Sequence, residues 1–173
     1  MTKNAQQYKS LDKVVVNTGI GRLSTQPNFK DKVLPAIEAE FKIITGQKPM
    51  ERPAKQSISG FKLREGTIVG LKATLRGKRM VQFLEKVIKI VLPRVRDFRG
   101  VSAKGIDEHG NFTFGIKDHL VFPEIAAENS KANFGIEITV VPKESKQREE
   151  AMSFYKEIGV PFEKEMAKKK LTR

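Results

Sequence analysis

Cysteine and tryptophan are both absent from the 173-residue chain, and histidine occurs only twice. Without cysteine the chain has no disulfide, no thiolate ligand for a metal and no cysteine nucleophile. No apolar run approaches the ~20 residues of a membrane span. The first ten residues are polar and do not resemble a secretory leader. We therefore expect a soluble, intracellular protein without a membrane span.

Patterns of catalytic residues are equally scarce. His109 and His119 each lack a second ligand at metal-binding spacing, so we expect both at the surface. The chain has neither a phosphate-binding glycine-lysine-serine loop nor the glycine pattern of a nucleophile elbow. The sequence therefore predicts no enzyme, no metal site and no cofactor.

One glycine pattern supports a competing enzyme hypothesis. The run VVVN is followed by TGIGRLS, which places Gly19 and Gly21 like the first two glycines of a dinucleotide-binding fingerprint. Ser24 occupies the third glycine position, and Glu38 and Glu40 fall within a predicted helix instead of ending a second strand. A tight turn that brings backbone N–H groups near a phosphate, or a simple loop, explains these glycines better.

Acidic residues are outnumbered, and the excess of positive charge is local. The formal net charge is +13 and the isoelectric point is about 10.0. Residues 48–79 contain nine Lys and Arg but only two Glu. Such a charge predicts a polyanionic partner, most simply a nucleic acid. An anionic membrane surface is the lesser candidate, because no predicted helix is basic on one face and strongly apolar on the other.

Within this basic stretch, residues 69–76 alternate with the period of two typical of a strand that has one face in a core. The apolar face consists of Val69, Leu71, Ala73 and Leu75, and the polar face of Gly70, Lys72, Thr74 and Arg76. Residues 61–64 also alternate, and Glu65-Gly66 follows them, so we expect two paired strands here. The polar face suits a phosphate backbone, the alternative being a solvated face that only maintains solubility.

The other segments complete a mixed pattern. Strands are predicted at residues 13–17, 112–116 and 134–140. Helices are predicted from a cap at Asn28 to Gly46, from Lys78 to Leu92, and from Ser145 to Ile158. Residues 94–110 are expected to form an extended surface connection. We expect one α+β domain over residues 1–162, including a polar leader at 1–10, and a mobile basic tail at 163–173.

In this fold the helices should pack on one face of a largely antiparallel sheet and leave a basic face open. Phe61 is the only aromatic residue of the basic stretch, so base stacking is not expected as the main mode of binding. A basic, hydroxyl-rich surface suits folded RNA, which is recognised through phosphates, 2′-hydroxyls and shape.

Five strings, in order, resemble the family of bacterial large-subunit ribosomal protein number five, the 5S rRNA-binding protein of the central protuberance. They are VVVNTGIG (14–21), ITGQKP (44–49), SISGFKLREG (57–66), LKATLRGKRM (71–80) and LPRVRDFRGVSAKGIDEHGNFTFGIKDHLVFPEI (92–125). The resemblance covers roughly residues 11–162. It implies an α+β fold whose concave sheet is seated on 5S rRNA in the cytoplasmic ribosome, without catalytic activity.

The resemblance also implies three contact regions. Together with the nearby cations of the basic stretch, the candidate rRNA-binding residues are Asn17, Thr18, Gly19, Gly21, Arg22, Lys48, Arg52, Lys55, Lys72, Thr74 and Arg76. The family's loop that touches peptidyl-site tRNA falls on Ser59, Gly60, Phe61, Lys62, Leu63, Arg64, Glu65 and Gly66. The family's bridge to small-subunit ribosomal protein thirteen falls on Lys104, Asp107, Glu108, His109 and Asn111. Neighbouring central-protuberance proteins and large-subunit rRNA are further implied partners.

The chain departs from the family's pattern at both ends. Family members usually begin with an additional amphipathic helix, whereas some ten residues precede the first strand here. Beyond Phe162, the chain adds EKEMAKKKLTR. We expect this tail to make an additional, nonspecific RNA contact through Lys168–Lys170.

Overall fold

Five strands form a single sheet in the computed structural model, which describes residues 8–25, 28–61, 63–130 and 132–163. The strands are β1 (Leu11–Gly19), β2 (Met50–Pro53), β3 (Ile68–Leu75), β4 (Phe112–Ile116) and β5 (Ile136–Pro142). Their spatial order is β2-β3-β1-β5-β4, and every neighbouring pair is antiparallel. β1 is therefore the central strand.

The alternation in the sequence separates the two faces of this sheet. In β3, Leu71, Ala73 and Leu75 are buried, whereas Lys72 and Thr74 remain partly exposed. β1, β4 and β5 alternate in the same way. One face therefore belongs to the core, as the period of two predicted.

Three helices cover that core face. They are α1 (Leu34–Thr45), preceded by the π turn Phe29–Val33, α2 (Gly77–Lys86), continued by the π turn Val87–Val91 and a last turn Leu92–Arg94, and α3 (Arg148–Ile158). The apolar stripes of all three helices join the apolar strand residues in one hydrophobic cluster. The second face of the sheet, which we call the open face, carries no helix of the described chain. The α+β class and the packing of helices on one face are confirmed.

The predicted helix ends are correct where a glycine is required. Gly46 ends α1 with φ 67° and Gly159 ends α3 with φ 103°, the left-handed conformation that glycine adopts without steric penalty. The cap predicted at Asn28 is wrong. Asn28 is itself left-handed, with φ 59°, and its side chain caps nothing. Its carbonyl instead accepts a hydrogen bond from the Lys32 N–H at 3.0 Å.

α3 begins at Arg148 and not at Ser145. The Ser145 hydroxyl and the Lys146 N–H both donate to the carbonyl of His109, at 3.4 and 3.2 Å. These bonds hold residues 145–146 against the connection before β4, and the chain turns into the helix only after them.

The strand predicted at residues 61–64 is also wrong. β2 pairs with β3 instead, while Ser59–Phe61 forms a 3-10 turn and only Ile58 and Leu63 form a bridge. The Phe61 side chain is 76% exposed, so the alternation here has no buried face. A period of two indicates a strand only where one set of side chains has a core to enter.

His119 is not at the surface, which contradicts the prediction. It is fully buried, and its ring stacks on Phe134 with centroids 3.9 Å apart. Its Nε2 lies 3.1 Å from Glu40 Oε2 and 3.0 Å from Ser130 Oγ. Asp118 caps the short turn by accepting the Leu120 N–H. The prediction rested on the lack of a second metal ligand, but a histidine that binds no metal can still be buried, and here partners from distant segments satisfy the ring in the interior.

Near the N-terminus, Tyr8 is buried and Leu11 begins β1 two residues earlier than predicted. Residues 1–7 and 164–173 lie outside the described residues, so the polar leader and the basic tail stay predictions. None of the helices formed by the described residues is long and apolar enough to span a bilayer.

Tyr155 provides a test of the packing between α3 and the sheet. Its buried hydroxyl donates to the carbonyls of Gly110 (2.7 Å) and Val140 (3.3 Å), and burial and the Asp107 charge raise the pKa of its phenol. Tyr155→Phe keeps the ring but removes the donor, so we expect the free energy of unfolding to fall by ~1–3 kcal/mol in urea denaturation. Ser153→Ala, on the exposed side of α3, should change it by less than ~0.5 kcal/mol. Equal values for the two variants would contradict this role.

Glu38 on α1 provides a test of pH dependence. Partial burial, a hydrogen bond with Glu51 and the Glu51 charge raise its pKa. A raised carboxyl pKa contributes stability that is present at acid pH and is lost as the pH rises through the folded-state pKa. We expect Glu38→Gln to melt at a higher temperature than the parent at neutral pH and at the same temperature in acid. Glu128→Gln, at an exposed carboxylate, is the control, and a Glu38→Gln variant that lowers the melting temperature at neutral pH would refute the assignment.

Candidate nucleic-acid interface

The strand register assembles the candidate residues on the open face. Asn17 of β1 lies opposite Lys72 of β3, and Lys72 lies opposite Met50 of β2. In the next row Arg52 lies opposite Gly70. Cross-strand partners on one face are ~5 Å apart. The open face therefore presents an amide, two cations and an apolar side chain as immediate neighbours.

We call the cations at this side of the sheet the basic edge, which consists of Lys48, Arg52, Lys55 and Lys72. Lys48, Arg52 and Lys55 are exposed, whereas Lys72 is partly buried between strands. None of the four forms an ion pair with another described residue. Lys48 does act on Glu38, because its charge opposes the rise in the pKa of that carboxyl. The charges of Arg52, Lys55 and Lys72 are therefore the ones available to an external anion.

A groove of about 450 Å³ lies along the basic edge. It is lined by Gln47, Lys48, Pro49, Met50, Arg52, Lys72 and Thr74. Gln47 and Met50 were not predicted as site residues, because β2 itself was not predicted and its register was unknown. The only signal in the sequence was that Met50 lies within the basic stretch and Gln47 immediately precedes it.

Arg76 differs from the cations of the basic edge, because it forms an ion pair within the protein. Its guanidinium is hydrogen-bonded to Asp12, which also pairs with Lys13 at 3.4 Å. Asp12 and Lys13 belong to β1 next to the end of β3, so the pairing is a product of the antiparallel register. The charge of Arg76 is consequently partly neutralised within the protein.

The half of the open face formed by β5 and β4 is not basic. Glu137 lies opposite Asn17 and accepts a hydrogen bond from its side-chain amide at 3.3 Å. The hydroxyls of Thr113 and Thr139 are 3.0 Å apart, and Gly115 is exposed beside them. Among the paired strand residues of the open face, the cations Arg52 and Lys72 thus lie on β2 and β3 and Lys13 lies on β1, while β5 and β4 contribute none.

The glycine turn after β1 begins in the same row of the sheet as Arg52, because Gly19 and Arg52 both lie opposite Gly70. Gly19 pairs with Gly70, and Arg22 is exposed. Thr18 points away from the open face, since its buried side chain donates to the Gly135 carbonyl at 2.7 Å. Thr18 is therefore part of the buried side of the sheet and not of the exposed surface.

This turn also settles the dinucleotide hypothesis. It leads into the 3-10 turn Leu23–Thr25 and not into the first turn of an α-helix, so no helix N-terminus faces it. The Ser24 hydroxyl donates to the Gly21 carbonyl at 2.7 Å. The Rossmann interpretation is wrong because the strand-to-helix geometry that binds pyrophosphate is absent from this turn.

The loop between β2 and β3, residues 54–67, is held by its own backbone. Ile58 and Leu63 exchange hydrogen bonds of 2.9 and 3.1 Å, and the Gly66 N–H donates to Ala54. Gly66 has a φ of 78°, a backbone conformation that residues with a side chain rarely adopt. Phe61 and Arg64 project from this frame as exposed side chains. Lys62 lies outside the described residues.

The candidate bridge residues form a separate turn before β4. Asp107 accepts the N–H groups of His109 (2.9 Å) and Asn111 (2.8 Å) and the Asn111 side-chain amide (2.7 Å). Burial opposes ionisation of Asp107, but these hydrogen bonds outweigh it and lower its pKa. Glu108 and His109 are exposed at this turn, while Lys104 belongs to the preceding 3-10 turn.

Comparison with known proteins matches almost the whole chain. A family model described as ribosomal protein L5 matches residues 4–64, and a second model, described as the C-terminus of the same ribosomal family, matches residues 68–162. The large ribosomal subunit protein uL5 of Mycoplasma mycoides subsp. mycoides is 45% identical over 162 residues, covering 94% of this chain and 87% of that protein.

Two further uL5 proteins agree. That of Mycoplasma capricolum subsp. capricolum is 46% identical over the same share of both chains. That of Halothermothrix orenii is 44% identical over 160 residues, covering 92% of this chain and 87% of that protein. The resemblance found in the sequence is confirmed, and the chain belongs to the ribosomal protein L5 family of structural, non-enzymatic constituents of the large ribosomal subunit.

Proposed function

We propose that this constituent of the large ribosomal subunit binds 5S rRNA in the central protuberance through the β2–β3 half of its open face. The observation that carries the proposal is the register that sets Asn17, Lys72 and Arg52 side by side, with Lys72 and Arg52 in none of the ion pairs among the described residues. The cations bind phosphates. Asn17 and Thr74 supply donors and acceptors for 2′-hydroxyls and base edges.

The uneven charge of the open face favours this function over simple solubility. A solvated sheet face has no reason to place its cations on one side and Glu137 with two threonines on the other. An RNA helix that lies across β2 and β3 meets the cations, while the threonine half of the face remains for other contacts.

Binding to 5S rRNA is tested by removing cations of the basic edge. Lys72→Ala together with Arg52→Ala should weaken the affinity and reduce the salt slope by roughly one to two, since each neutralised phosphate contributes ~0.7–0.9. Arg76→Ala should have a smaller effect, because Asp12 already binds that guanidinium. Lys30→Ala, at an exposed lysine before α1, is the control. An unchanged salt slope in the double variant, measured by filter binding against an unrelated folded RNA, would exclude this face.

The loop at residues 54–67 contacts peptidyl-site tRNA in this proposal. Its backbone frame fixes the direction in which Ser59–Phe61 and Arg64 project. A cation on such a loop meets phosphates without reading sequence, which suits a site that accepts every tRNA.

Arg64→Ala separates the two RNA contacts. We expect this variant to bind 5S rRNA like the parent protein and to lower the affinity of ribosomes for peptidyl-site tRNA by about 5-fold, the loss of one charge-assisted contact. Glu65→Gln is the matched control, because the structural bond at this residue is its backbone N–H to Ser57 Oγ. Equal losses in both assays would show that the loop belongs to the 5S rRNA site.

The turn at Asp107 is the proposed contact with small-subunit ribosomal protein thirteen. Its hydrogen bonds present Glu108 and His109 on a fixed backbone, so little conformational entropy is lost on docking. Neighbouring central-protuberance proteins and large-subunit rRNA complete the proposed partners, and the protein acts as a component of the cytoplasmic ribosome.

A further inference from the structure

β4 is the last strand of the sheet, and its outer side is only partly covered. Its other side pairs with β5 from Phe112 to Ile116. At the outer side Ile106 bridges Phe112, and Gly105 packs so closely that an added Cβ would lie 2.1 Å from the Thr113 carbonyl oxygen. The Thr113 carbonyl therefore points outward, away from β5.

The direction of one backbone group fixes the directions of the others. In an antiparallel pair the groups of alternate residues point to the same side, so the N–H and C=O of Gly115 also point outward. The 3.0 Å approach of the Thr113 and Thr139 hydroxyls agrees with this phase, because facing side chains come closest in non-hydrogen-bonded pairs. No loop hydrogen bond among the described residues reaches Gly115.

A groove of about 510 Å³ runs along this outer side. Gly115 and Lys117 line one wall, and Val95, Phe98 and Val101 line the other. The opposite wall is fixed in place, since Val101 exchanges hydrogen bonds with Pro161 (2.8 Å) and Glu163 (3.0 Å). The groove thus combines unpaired strand groups with apolar side chains.

The rim of the groove is basic. Arg96 and Lys117 line the groove, and Arg99 lies between the lining residues Phe98 and Gly100 in the sequence. All three cations are exposed, and they take part in none of the ion pairs among the described residues. Asp118 is the carboxylate that also lines the groove, and it accepts the Leu120 N–H at 2.9 Å. Gly115 is exposed and has no side chain to hold a partner backbone away. A ligand that matches all three features has strand-forming backbone, apolar side chains and negative charge.

We propose that this groove binds an extended, acidic segment of another protein, which adds a strand beside β4. The outward N–H and C=O of Gly115 would pair with the backbone of the segment, as in other cases of strand addition. Its alternate side chains would contact Phe98 and Val101, and its acidic residues would face Arg96 and Arg99.

Two other occupants fit less well. An RNA backbone would satisfy the cations but would leave the apolar wall and the outward strand groups without matching partners. The chain's own C-terminal residues include Lys168–Lys170, whose charge has the same sign as the rim.

The experiment uses ribosomes assembled with a variant in which Phe98 is replaced by the photoreactive p-benzoylphenylalanine. We expect irradiation to link residue 98 to a protein segment that is rich in acidic and apolar residues, identified by mass spectrometry after nuclease treatment. Gly115→Pro removes one outward N–H at an edge position that tolerates proline, and it should lower the yield about 2-fold to 12-fold. Gly115→Ala keeps the N–H and has open space for its methyl group, so its yield should equal that of the parent.

Charge is tested independently of the strand. Arg96→Glu together with Arg99→Glu should lower the cross-link yield, whereas Lys30→Glu should not. This comparison of the double variant with Lys30→Glu tests the proposal even if Gly115→Pro does not fold. A nuclease-sensitive cross-link to RNA, a link to a basic segment, no cross-link at all, or equal yields from Arg96→Glu/Arg99→Glu and Lys30→Glu would each overturn the proposal.

Discussion

The backbone pairing of β1 is the constraint on which the rest of the molecule depends. Its two antiparallel ladders connect β3, and through it β2, with β5 and β4. Because side chains alternate along a strand, the register of β1 decides which residues enter the core and which face outward. A slip by one residue would bury Asn17 and expose Val16. The same ladder that holds the core therefore sets Asn17 beside Lys72.

Alternation and helix periodicity in the sequence predicted the parts of the fold that are determined by residues close together in the chain. The faces of β3 and the glycine ends at Gly46 and Gly159 could be predicted because burial and left-handed backbone leave local signals. The position of β2, the burial of His119 and the pairing of Arg76 with Asp12 could not. Each depends on residues far apart in sequence, and 64 positions separate Arg76 from Asp12. The cation content of the site was evident from the sequence, but its restriction to one half of the face was not.

Polar side chains fix the segments that the sheet does not hold. Lys86 of α2 donates to the Ile44 carbonyl at the end of α1, pairs with Glu124 at 2.7 Å and lies over the Phe83 and Phe122 rings. His119 and Asp107 act similarly in their own turns. Lys86 and His119 are satisfied by partners from several segments, so their local geometry is determined by more than one element, whereas Asp107 is satisfied within its own turn. The surfaces around the sheet are thereby rigid without additional secondary structure.

The two outer strands of the sheet, β2 and β4, differ in whether a strand of another chain can pair with them. β2 has only four residues, contains Arg52, ends at Pro53 and shifts register there, all features that discourage another chain from pairing. β4 leaves Gly115 open. A sheet that accepts a strand on both sides can propagate into a fibre, because each added copy exposes a new acceptor. With a single accepting side, association stops after one event, so free copies awaiting assembly are protected from polymerisation.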